Sequence, residues 1–127
     1  MSVTRRFLGT LDNENIYCFT LGNDNGLSAD ISNFGATVLT INMPCGENTF
    51  RDIVLGFNQI QDYSKDDSIY FGGTIGRCAG IIPGAAFELQ GRKYNLSTLP
   101  GGIHLHGGQR VSTRLCGTTG MTRMTAL

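Results

Sequence analysis

Two stretches decide the fold: Ile16-Tyr17-Cys18-Phe19-Thr20-Leu21 and Ala36-Thr37-Val38-Leu39-Thr40-Ile41-Asn42-Met43. Both are rich in β-branched and aromatic residues, the types that fit a pleated, half-buried surface. The first ends in a turn cluster, Gly22 to Gly26. The second is stopped by Pro44 and Gly46. Between them Leu27, Ala29 and Ile31 alternate with polar partners, the period of a strand.

The same pattern continues outward. Arg51 to Phe57 reads as a further strand, and the polar stretch Gln59 to Asp67 has room for a short helical turn. Phe87-Glu88-Leu89, a turn over Gln90 to Lys93, and Tyr94-Asn95-Leu96 read as a hairpin with Phe87, Leu89, Tyr94 and Leu96 on its apolar face. No segment shows a long helical period. The expected class is all-β, with strands spaced as in a sandwich.

Composition narrows the function. The 127 residues make room for one ordinary domain, and 40% hydrophobic with 16% charged residues is a globular balance. Ten basic and ten acidic residues cancel, so charge gives no case for nucleic acid or an anionic membrane surface. No apolar run reaches membrane-spanning length, and Arg5 and Arg6 are not followed by the apolar core of a signal peptide. A cytoplasmic location is the expectation. Cys18, Cys45, Cys78 and Cys116 are far apart with no CxxC pair, so they read as reduced thiols rather than a metal or redox motif.

Chemistry concentrates at Gly101-Gly102-Ile103-His104-Leu105-His106-Gly107-Gly108, which holds both histidines of the chain. On an extended segment His104 and His106 would share one face, suiting a metal pair or two hydrogen bonds to one ligand. A zinc site needs a third ligand, and none lies near at the usual spacing. A structural role for either ring stays open. Tyr70 to Arg77 is glycine-rich but lacks phosphate-loop spacing, and it reads as a tightly packed turn with Arg77 paired to a carboxylate.

Taken together, several blocks resemble the N-terminal part of the aldose 1-epimerase (galactose mutarotase) family. They are Asn33-Phe34-Gly35-Ala36-Thr37, Asp52 to Phe57, Tyr63, Tyr70-Phe71-Gly72, Ile75-Gly76-Arg77, Gly84 to Phe87, Leu89-Gln90-Gly91, Tyr94-Asn95-Leu96 and Gly102 to Gly108. The resemblance covers residues 5–109. It implies part of a large antiparallel β-sandwich, incomplete here. It also implies interconversion of the α and β anomers of aldohexoses such as galactose and glucose, with no metal and no cofactor. In that family a glutamate takes the proton of the anomeric hydroxyl while a histidine protonates the ring oxygen, from opposite sides of the sugar.

The resemblance carries the family's sugar-contacting histidine onto His106, with His104, Gly107, Gly108 and Arg77 in support. The family's acid histidine and base glutamate lie in segments with no counterpart here, so no catalytic residue is assigned. The segment Gly76-Arg77-Cys78-Ala79-Gly80-Ile81-Ile82 places Ile81 where the family has a second sugar-binding arginine. Losing it removes charge-assisted bonds of roughly 1.5–3 kcal/mol each. The implied reading is a mutarotase of hexose metabolism that is inactive or nearly so as 127 residues. A second reading is a catalytically dead carbohydrate-binding or regulatory module.

Residues 110–127 lose the resemblance and are expected to be a disordered, out-of-frame tail. Val111 to Gly117 can be written with the permitted codons GTT TCG ACA AGG CTT TGT GGG. Read one base earlier, after a G, they give Gly-Phe-Asp-Lys-Ala-Leu-Trp, a continuation similar to the family's.

Overall fold

The computed structural model describes residues 1–65, 70–76, 78–108 and 116–117. Its main body is a five-stranded antiparallel sheet in the order β1-β2-β3-β4-β5. The strands are β1 (Ser2–Leu11), β2 (Glu14–Gly22), β3 (Ser28–Ser32), β4 (Val38–Gly46) and β5 (Thr49–Asp52). Two small antiparallel pairs follow. One joins β6 (Ile81–Pro83) to β9 (Ile103–Leu105), the other β7 (Ala86–Leu89) to β8 (Arg92–Asn95). A 3-10 turn at Ile60–Ser64 occupies the polar stretch expected to hold one.

Every strand of the large sheet pairs with its sequence neighbour, so tight turns set the register. Asp12 and Asn13 both have positive φ (48° and 64°) and close the β1–β2 hairpin, with Leu11 opposite Glu14. This is the twist that two-residue hairpins favour. Sequence reading alone does not find β1, because its register shifts between Phe7 and Gly9 and breaks the alternation of Val3, Phe7, Leu8 and Leu11.

Three boundaries differ from the sequence reading. β4 starts at Val38 rather than Ala36, because Phe34 to Thr37 forms a turn with Gly35 at φ 63° and Ala36 at φ 46°. It then runs through Pro44 to Gly46, since past Asn42 only β5 flanks it and an edge segment tolerates proline. β5 ends at Asp52 rather than continuing to Phe57. There Asp52 Oδ1 accepts from both Ile41 N and Val54 N at 3.0 Å, replacing ladder carbonyls and releasing the chain.

The core gathers under the large sheet. Ile16, Phe34, Ile60 and Tyr63 are buried together, with Leu8, Leu11, Leu39, Phe57, Phe71 and Cys116 packed against them. The buried polar groups are satisfied locally. Ser32 Oγ accepts from Phe34 N (3.0 Å), and Thr37 Oγ1 donates to the Phe34 carbonyl (2.8 Å). Asn33, just past β3, ties back to β2: its Oδ1 accepts from Tyr17 N (2.7 Å), and its Nδ2 donates to the Asn15 carbonyl (3.1 Å). Gly117 N donates to the Asn33 carbonyl at 2.7 Å, which seats Cys116 beside this corner.

The hairpin of β7 and β8 forms as read, with a shorter turn. Leu89 faces Arg92, so Gln90 and Gly91 alone make the reversal, both at positive φ (52° and 71°). Arg92 and Lys93 belong to β8.

Candidate functional site

Two glycine pairs deliver the histidines. Pro100 and Gly101 reverse the chain, Gly102 N closing on the Leu99 carbonyl at 3.1 Å. The chain then enters β9, where His104 lies opposite Ile82. Just past β9, Leu105 to Gly108 makes a second turn, with Gly108 N on the Leu105 carbonyl at 2.8 Å. His106 (φ 52°) and Gly107 (φ 95°) are its central residues. His106 therefore sits in left-handed backbone, which costs a residue with a Cβ roughly 1–2 kcal/mol.

The two rings do different things. His104 is buried, with Nδ1 at 2.8 Å from the Ser97 carbonyl and 3.4 Å from Ser97 Oγ. A carbonyl only accepts, so the proton of His104 sits on Nδ1. His106 is half-buried, and its Nδ1 accepts from Gly80 N at 3.1 Å. Its own N donates back to the Gly80 carbonyl at 3.1 Å. The two imidazoles thus engage separate partners rather than one shared ligand face. The strand period that would align them ends at Leu105.

A third segment completes the neighbourhood. Val38 N donates to the Gly72 carbonyl (2.8 Å), and Thr74 Oγ1 donates to the Ala36 carbonyl (2.8 Å). These bonds pin residues 70–76 to the start of β4. They bring Tyr70 edge-on to His106, with ring centroids 6.1 Å apart. The pinned segment thus meets the turn after β9 at His106, through Tyr70.

Ile81 is exposed on β6, next in chain to the glycine that holds His106. Gly107 is a central turn residue. Gly108 is packed so tightly that a Cβ would meet Ser97 Oγ and lie 2.8 Å from His104 Cε1. Arg77 lies outside the described residues. Among the described residues no group of three His, Cys, Asp or Glu could hold a metal ion. Sequence reasoning missed Gly80, Tyr70 and Ser97. The only signal for Gly80 was its place one residue before Ile81.

A cleft of about 540 Å³ lies elsewhere, between the large sheet and the loop after β5. Its carboxylates are engaged within the fold. Asp30 accepts from Thr20 Oγ1 (2.6 Å) and pairs with Arg6 (3.6 Å), while Asp52 caps β5. The His106 corner, with a ring nitrogen not committed to the backbone, is the better-argued site.

The comparisons bear on the same residues. The aldose 1-epimerase family profile matches residues 17–114. Galactose mutarotase of Sus scrofa is 34% identical over 112 residues, covering 87% of this chain and 32% of that protein. Aldose 1-epimerase of Haemophilus influenzae is 37% identical over 95 residues, covering 75% of this chain and 27% of its own length. Galactose 1-epimerase from Lactobacillus acidophilus superposes with a TM-score of 0.69 at 28% identity, over 88% of this chain and 32% of that one. An aldose epimerase homologue from C. elegans gives 0.68 at 26% identity, over 89% and 31%. The chain spans about a third of the length of the curated relatives it matches. With the histidine turn inside the matched span and the same strand arrangement in solved epimerases, this chain belongs to the aldose 1-epimerase family.

Proposed function

We propose that this chain carries the sugar-binding corner of an aldose 1-epimerase site, with an aldohexose as its small-molecule partner and His106 as the direct contact. The observation that supports it is the geometry of His106. The ring is held on one side by Gly80 and flanked by Tyr70, leaving Nε2 to meet a sugar oxygen. His104 supports from behind, its ring spent on Ser97 and packed against Gly108.

Anomer exchange needs an acid and a base on opposite faces of the sugar, and one imidazole cannot occupy both. Residues 1–127 by themselves therefore bind without turning over. Exposed Ile81 at the family's arginine position weakens that binding by the loss of a charge-assisted grip. The reading places the protein in hexose metabolism in the cytoplasm. It assigns residues 1–109 to the family domain and 110–127 to an out-of-frame tail, which the third bases of the coding DNA test directly.

The function is tested by polarimetry of fresh α-galactose with the purified chain, beside a galactose-binding assay. Binding with mutarotation at the buffer rate is expected. Mutarotation well above buffer would show a working enzyme and overturn the reading. No binding would remove the sugar site.

A further inference from the structure

We propose that the Gly80 amide locks His106 in the Nε2–H tautomer, making His106 an obligate hydrogen-bond donor toward an acceptor oxygen of the sugar. This rests on the reading that His106 contacts an aldohexose, and it adds which atom makes the contact and in which sense.

The geometry is reciprocal. Gly80 N donates to His106 Nδ1 at 3.1 Å, and His106 N donates to the Gly80 carbonyl at 3.1 Å. The second bond fixes the backbone of His106 against Gly80 while the first fixes its ring. A proton on Nδ1 would set two N–H groups facing each other across that distance. The neutral ring therefore carries its proton on Nε2 and offers no lone pair to the ligand. Gly80 is itself at φ 83°, a conformation open to glycine, and nothing lies within 4 Å of where its Cβ would be. It is a positioning residue acting through its main chain.

His104 supplies the contrast. Its Nδ1 faces the Ser97 carbonyl at 2.8 Å and must donate. The two histidines, two positions apart, are held in opposite tautomers by two different backbone groups. The His104 ring is consumed by the fold, whereas among the described residues only Nδ1 of the His106 ring is engaged in a hydrogen bond. An anomeric or ring oxygen is an acceptor that such a donor can find, and a ligand group that must itself donate is refused.

The tautomers are read directly from the imidazole nitrogen shifts and long-range couplings of the uniformly ¹⁵N-labelled chain. Nδ1–H at His104 and Nε2–H at His106, present without ligand, are expected. Nδ1–H or a rapidly averaging mixture at His106 overturns the proposal, whether or not sugar binds. Two variants test the consequence. H106Q places an amide donor near the Nε2 position, and H106N places one near Nδ1 while suiting the left-handed turn better. Galactose binding within about tenfold of the parent for H106Q, and a loss beyond about tenfold for H106N, is expected from one hydrogen bond. Equal loss in both variants overturns it. Failure of the parent chain to bind galactose removes the sugar reading alone, and the nitrogen spectrum still decides the tautomer.

Discussion

A methyl group added at Gly72 would run into the Val38 carbonyl, and the residue's φ of 60° is left-handed as well. Gly72→Ala should cost about 1–3 kcal/mol from crowding and about 1–2 kcal/mol from backbone strain. Urea unfolding checks the stability. Because Gly72 lies in the segment that carries Tyr70 to His106, galactose binding should weaken too. Cys18 makes a pH prediction. Burial, then the charge of Asp30, pushes its thiol above the ordinary 9.0. As pH rises through that value the unfolded thiol ionises while the folded one keeps its proton. Stability therefore falls above pH 9.0 until the folded thiol ionises as well. The urea midpoint should drop between about pH 8 and about pH 10, and Cys18→Ala should shrink the drop. Cys116 is raised in the same direction and accounts for a remainder. At this scale sequence reading singled out His106 but not the main-chain partner of its ring. A main-chain contact across 26 positions, made by a positive-φ glycine, leaves no trace in residue type.

The β7–β8 hairpin shows what an element can declare and what it cannot. Alternation named its apolar face, and the fold pairs Phe87 with Tyr94, their rings stacked at 5.1 Å. Yet Phe87, Leu89 and Tyr94 are exposed, at 42%, 56% and 40%. Apolar patches left open in this way promote association. Leu89→Lys is expected to raise soluble yield and change stability by less than about 0.5 kcal/mol. A large loss of stability would show that Leu89 is packed. Strand ends were read less well than strands. Gly35 and Ala36 take positive φ before β4, and Asp52 closes β5 through its side chain, both decisions of local hydrogen bonding rather than hydrophobic period. β1 escaped because its bulge resets the alternation that sequence reading relies on.

For the molecule as a whole, exposure carries the argument. Among the described residues several large apolar side chains stand open, Phe7 at 57%, Phe50 at 56%, Ile53 at 55% and Leu55 at 72%. Buried hydrophobic residues among those described are few: Ile16, Cys18, Phe34, Ile60, Tyr63 and Ala85. So small a core predicts a shallow urea transition, with a slope below that of a compact domain of this length. The family and strand-rich class were legible because many short blocks recur in order. Which side chains stay exposed was not, since exposure depends on what packs against an element and not on its own residues. The central claim is that His106 forms a sugar contact on this scaffold. Galactose titration followed at the His106 ring resonances tests it most directly. A saturable shift at His106, absent for His104, together with weakened galactose binding by His106→Ala, is the predicted result. No shift at His106 up to saturating sugar would contradict it.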